Sequence, residues 1–187
     1  NTADNICQTA TAGQCTLRAA IMQANVTANN VNGPDVIVFN IAGGGLQTIS
    51  PLSGLPTITQ PVVIDGTTQP GFAGTPIIEL NGTGAGAGNG ITIISGNSTI
   101  RGLVINRFSG EGGIVVSGAL ANGNVLEGNF IGMNAAGTAA LPNTQTGVLI
   151  EGGANANTVG GTTVTARNVI SGNNLGIMLA GAVGTIV

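Results

Sequence analysis

Gly90-Ile-Thr-Ile-Ile-Ser-Gly-Asn-Ser-Thr-Ile-Arg-Gly-Leu-Val-Ile-Asn-Arg-Phe-Ser-Gly-Glu-Gly-Gly113 holds two short β-branched runs, 91–94 and 103–105, set apart by Gly, Asn and Ser. The pattern then starts again. Glycine followed by three or four β-formers recurs at Gly90, Gly113, Gly147 and Gly176, at intervals of 23, 34 and 29 residues. A second series ends its run in a small or turn residue: Val104-Ile105-Asn106, Phe130-Ile131-Gly132 and Val169-Ile170-Ser171. A period in the twenties with variable insertions is the signature of a solenoid, in which each repeat buries its apolar face only against its neighbours. The expected fold is therefore all-β, a right-handed parallel β-helix (solenoid) with a short N-terminal capping α-helix.

The 187 residues suit one domain, and 42% hydrophobic residues are enough for a sizeable core. Only 6% are charged, against roughly a quarter in ordinary soluble domains. Lys, His, Trp and Tyr are absent, and Gly, Thr, Asn, Ser and Ala take their place. Disordered chains share the low charge but lack repeated Ile/Val/Leu runs. Four Arg and a net charge of −3 leave no basic patch, which argues against nucleic acid as a partner. The apolar runs are far shorter than the roughly 20 residues needed to span a bilayer, so no membrane insertion is expected.

Cys7 and Cys15 lie eight positions apart in a Gly/Thr/Ala-rich stretch. A local disulfide formed in an oxidising compartment is the expected reading, with two free thiols as the alternative. Without His or further Cys there are too few ligands for zinc. Next comes the one helical pattern, 16–25. Leu17, Ala20, Ile21 and Ala24 share a face at i, i+3, i+4, i+7, and Thr16 is placed to cap it. Residues 1–33 thus read as a cystine-closed loop plus a helix that covers the first repeat, and 34–187 as one continuous β domain.

The segment Cys15-Thr-Leu-Arg-Ala-Ala-Ile21, with Gln23-Ala-Asn25 and then Pro34-Asp-Val-Ile-Val-Phe39, resembles the CSLREA-type N-terminal domain. That domain heads many bacterial secreted or cell-surface proteins that continue as right-handed parallel β-helices. Residues 64–80 and 98–108 are similar to the first coils of that family. The resemblance implies a fold and an extracellular location but no chemistry, because the family has no single assigned activity. Ala19 stands where the name-giving motif has Glu, so any capping role of that Glu does not carry over.

Further strands are expected at 36–41, 46–49, 57–59, 62–64 and 77–80, with Pro51, Pro56, Pro61, Pro70 and Pro76 at run boundaries. Two insertions, 133–145 and 160–167, are expected to project as loops and are the first candidates for a recognition surface. The sequence starts in mid-pattern, which suggests a processed or trimmed product. It runs through repeat grammar to Ile186-Val187 without a polar cap. Uncapped repeats expose unpaired edges. Either more coils follow, or another subunit covers this end. Leu17, Ile21, Ile177, Leu179, Ile186 and Val187 are the candidate assembly edge, and head-to-tail filaments the candidate assembly.

The carboxylates are Asp4, Asp35, Asp65, Glu79, Glu111, Glu127 and Glu151. A glycosidase needs two of them about 5–9.5 Å apart in one cleft. Glu127 and Glu151 are 24 residues apart, close to one turn, but follow runs of different type. No His, Lys or Tyr is present to act as a base. No catalytic residue, cofactor or metal is therefore expected. Calcium-type Gly-x-Asp repeats are missing, and Thr-x-Thr is too irregular for an ice-binding array. Asn25, Asn81 and Asn97 fit the N-glycosylation pattern, which chance also produces in an Asn/Thr-rich chain. The expected role is a non-catalytic structural module of an extracellular surface, adhesive or fibre-forming protein. The alternative is a carbohydrate-binding or polysaccharide-processing protein, with surface polysaccharide as partner and Glu111, Glu127, Glu151 and loop 133–145 as the place to look.

Overall fold

Leu17 to Ala24 forms the helix α1, because its apolar positions fall on one face and Thr16 closes its N-terminus by accepting from the Ala19 N–H at 3.2 Å. The computed structural model describes residues 7, 14–29, 31 and 33–187. After α1 come β1 (Asp35–Val38), β2 (Gln47–Ile49), β3 (Val62–Asp65), β4 (Ile78–Asn81), β5 (Ile91–Ile93), β6 (Thr99–Arg101) and β7 (Leu103–Asn106). They are followed by β8 (Gly112–Ser117), β9 (Val125–Glu127), β10 (Phe130–Ile131), β11 (Thr146–Glu151), β12 (Thr158–Val159), β13 (Val169–Ile170) and β14 (Leu175–Ala180). Strands this short match a sequence that places a Gly, Asn or Pro every few residues.

All named strand pairs are parallel, and they form three sheets. Sheet one runs β1-β3-β6-β9-β12, sheet two β13-β10-β7-β4-β2 and sheet three β14-β11-β8-β5. The expected all-β, right-handed parallel β-helix is corrected here. What the pairing establishes, among the described residues, is three parallel sheets of five, five and four strands with one α-helix. The hydrogen bonding does not join these sheets into a closed right-handed solenoid. At the strand ends left-handed glycines such as Gly102 (φ 69°) and Gly128 (φ 64°) turn the chain from one sheet to the next, so each sheet is a separate set of paired strands. The run expected at 57–59 contributes only a single bridge, Ile58 to Ile93.

The three sheets share one core. Ile64, Ile100 and Leu126 enter it from sheet one, Leu80, Ile105 and Ile131 from sheet two, and Ile93, Ile114 and Ile150 from sheet three; all are fully buried. Each such side chain contributes on the order of 1.5–3 kcal/mol. Leu17, Ile21 and Ala24 of α1 and Phe39 pack into the same core. The helix is tied down further by polar contacts. Asn25 donates to the Thr57 carbonyl at 2.7 Å and accepts from the Thr59 N–H at 2.8 Å, and Arg18 donates to the Ser53 carbonyl at 2.8 Å.

Corners between strands carry buried and half-buried asparagines whose amides add to the backbone ladder. Asn129 accepts from the Leu103 N–H (3.1 Å) and donates to the Ile100 carbonyl (2.9 Å). Asn168 repeats the arrangement one strand on, accepting from Asn129 N–H (2.9 Å) and donating to the Leu126 carbonyl (2.7 Å). Asn143 and Asn173 do the same for Phe108 and Ile105, and for Asn143 and Ile131. Asn124 and Asn157 extend the pattern, accepting from the Ser98 and Asn124 N–H groups. Buried backbone groups need partners. Asparagine, which has both a donor and an acceptor, supplies them.

Candidate functional site

Three strands of sheet one end alike: Ile64-Asp65-Gly66, Ile100-Arg101-Gly102 and Leu126-Glu127-Gly128. The period of two turns the aliphatic residue into the core and leaves its charged neighbour to the other face. Parallel register then stacks Asp65 on Arg101 and Arg101 on Glu127. Arg101 donates to Asp65 at 2.5 Å, and its other terminal nitrogen lies 3.7 Å from Glu127. The side chains are 41% exposed for Arg101 and 6% for Asp65, so the pair is half sheltered.

Burial by itself would raise the Asp65 carboxyl, but hydrogen bonds from Arg101 and from the Thr67 hydroxyl and N–H outweigh it and hold the group below its ordinary value. The hydrogen bond to Asp65 correspondingly raises the Arg101 guanidinium above its own. These groups are fixed in their charged forms, which suits anchoring and not proton transfer.

The glycines that follow the charged row leave a trough beside it. A Cβ on Gly66 would fall on the Gly102 carbonyl, one on Gly102 would come within 2.7 Å of Thr67 Cγ2, and one on Gly128 within 2.7 Å of the Thr165 oxygen. The loop after β3 and the loop after β12 form the walls of this trough, making a cleft of about 390 Å³. Phe72 and Thr75 come from the first loop, Thr165 and Arg167 from the second, and Phe130, Arg101 and Glu127 from the strands between. Loop 133–145 is bridged antiparallel at Met133 and Ala140, and a Cβ on its Gly137 would lie 3.4 Å from the Phe130 ring; the loop contributes no residue to the cleft lining.

The carboxylates expected as a site do not converge. Glu127 lies in sheet one, whereas Glu151 ends β11 in sheet three and accepts from Ser117 at 3.3 Å. Glu111 is exposed just before β8. Glu79 is buried and accepts from Thr48 (2.7 Å) and Asn106 (2.8 Å). Asp4 is outside the described residues, and among those described no cluster of three His, Cys, Asp or Glu side chains forms. Cys7 and Cys15 are joined by a disulfide, while the residues between them, apart from Gln14, fall outside the described ones.

Of the expected assembly residues, Leu17 and Ile21 are buried in the core, Ile177 is half-buried, and Leu179, Ile186 and Val187 are exposed. Of the three glycosylation-type asparagines, Asn25 has its amide engaged by Thr57 and Thr59. Asn81 accepts from the Thr83 N–H, and Asn97 is exposed in a left-handed turn (φ 58°).

Reading the sequence missed the contribution of Phe72, Phe130 and Thr67 to one cleft. The usable signal was the aliphatic-charged-Gly triplet at 64–66, 100–102 and 126–128. Among the described residues no helix is long and apolar enough to cross a membrane. No protein-family model, curated protein or solved structure matches the chain.

Proposed function

We propose that this chain is a non-catalytic structural module of an extracellular protein, and that copies of it associate head to tail. The observation carrying this reading is the apolar face along the outer strand of sheet three and the segment after it. Leu175, Met178 and Leu179 of β14 are 43–47% exposed, and Val183, Ile186 and Val187 are 67–71% exposed. β13 and β14 are outermost in their sheets on this side, where Ile186 itself bridges to Thr158 of β12, and β1 and β2 are outermost on the other, where Val36 and Val38 are exposed. Unpaired strand edges with apolar side chains are templates for further pairing. Joining two unlike edges is a heterologous contact, which propagates into a fibre unless it closes into a ring. The disulfide supports an oxidising compartment outside the cytoplasm, as does the resemblance to CSLREA-type secreted proteins.

Charge-fixed side chains and scattered carboxylates favour a structural role over catalysis. Sedimentation velocity across a wide concentration range, with negative-stain microscopy, tests the assembly. Elongated oligomers that grow with concentration are expected, and Leu179→Lys, at an exposed position, should abolish them. A chain that stays monomeric throughout refutes the head-to-tail reading.

A further inference from the structure

The cleft beside the Asp65–Arg101–Glu127 row concentrates the rarest side chains of the chain. Two of the four Arg and two of the four Phe line it, in a protein where only 6% of residues are charged and 2% aromatic. Chance placement on an almost neutral surface does not explain that gathering. We propose that it is a binding site for a hexuronate unit, a sugar ring bearing a carboxylate.

Arg167 is exposed and makes no ion pair among the described residues, where the only two ion pairs are those of Arg101. Arg101 has five N–H donors; one terminal nitrogen bonds Asp65, the other lies 3.7 Å from Glu127, and its Nε is buried. Guanidinium groups present a planar fork that matches a carboxylate, so Arg167, with no carboxylate beside it among the described residues, supplies the anion-holding end of the cleft. Phe72 and Phe130 are half-buried, so ring surface is left to cover an apolar ring face.

Glu127 selects among anions. It is an acceptor on the cleft wall that receives hydrogen bonds from sugar hydroxyls, which a bare sulfate or acetate cannot donate. The Thr165 hydroxyl, beside Arg167, can both donate and accept. Carboxylate, hydroxyls and an apolar ring face together describe a uronic acid better than a neutral sugar or a simple anion. The glycine floor keeps the space open, since any side chain at Gly102 or Gly128 would meet its neighbours. The proposed site is one of binding, with no cleavage step.

The test is titration calorimetry of the whole chain with tri-galacturonate, with maltotriose and acetate as neutral-sugar and simple-anion arms. Tri-galacturonate should bind measurably better than either. Arg167→Ala should weaken it by about tenfold, the factor expected for one charge-assisted hydrogen bond, and Phe72→Ala should also weaken it. Arg107→Ala, an exposed arginine outside the cleft, should leave it unchanged. Circular dichroism confirms that each variant is folded. Equal binding of acetate and tri-galacturonate overturns the proposal, as does the absence of binding or an affinity indifferent to both Arg167→Ala and Phe72→Ala. Assembly into oligomers is read separately and does not bear on this outcome.

Discussion

Replacing Asn129 by alanine should unmake a corner. The side chain is fully buried and bonds two backbone groups on the neighbouring strands, the Leu103 N–H at 3.1 Å and the Ile100 carbonyl at 2.9 Å. It also donates to Asn168 at 3.2 Å. Truncation leaves the Leu103 N–H without this partner in a region water does not reach, and takes the amide donor from the Ile100 carbonyl, which also stands in the β6–β9 ladder. A buried orphan costs about 1–3 kcal/mol, which is the expected loss. Against a total stability on the order of 5–15 kcal/mol this is a large fraction.

Urea unfolding followed by far-UV circular dichroism measures the effect. Amide hydrogen exchange at Leu103 adds a local readout, because its protection depends on the Asn129 acceptor. The expected result is a midpoint far below wild type and a Leu103 amide that exchanges faster. Asn134→Ala, in loop 133–145 with bonds confined to that loop, should move stability by less than about 0.5 kcal/mol. If Asn129→Ala is no worse than Asn134→Ala, the asparagines do not hold the corners and the reasoning fails.

Acid should weaken the fold through Asp65. Its folded-state pKa is lowered from about 3.8, so its contribution is present above that value and is lost as pH falls through the folded-state pKa. Urea midpoints at neutral pH and in acid should converge for Asp65→Asn relative to wild type, and an unchanged acid slope in the variant would sink this assignment. Two glycine substitutions should have opposite outcomes. Gly82→Ala would place a Cβ 2.5 Å from the Phe108 ring and should cost about 1–3 kcal/mol, whereas Gly176→Ala in β14 meets nothing within 4 Å and should be neutral or stabilising by up to about 1 kcal/mol. Thermal unfolding of the pair decides it, and equal melting temperatures would count against the packing argument.

The two repeat series visible in the sequence each correspond to one sheet. The glycine-led runs at Gly90, Gly113, Gly147 and Gly176 belong to sheet three, with Ile91, Ile114, Val148 and Ile177 in register. Val104-Ile105, Phe130-Ile131 and Val169-Ile170 pair in sheet two. These were legible because inward Ile and Val recur with period two. Helix α1 was legible for the same reason at period 3.6, with Thr16 marking its start. Sheet one was harder to see, since its strands are broken by Asp, Arg and Glu that register only across 26–36 residues. The spacing of Glu127 and Glu151 suggested a common ladder but could not say which sheet each run joined. The cleft was invisible because Phe72 and Arg167 stand in irregular loops, where no periodicity links one position to another.

The buried asparagines also bear on what the chain can tolerate. Each clamp reaches between residues 26 to 42 positions apart, from Leu103–Asn129 to Asn168–Leu126. Strand register is therefore held at the corner itself and not by the length of the connection. Lengthening a flexible loop is a small entropic charge, about 0.6 kcal/mol per doubling. The segments after β3, β10 and β12 can accordingly drift in length and composition while the sheets beneath them stay aligned. Such a scaffold is open to grafting: foreign peptides placed there would be displayed on a frame whose alignment does not depend on them.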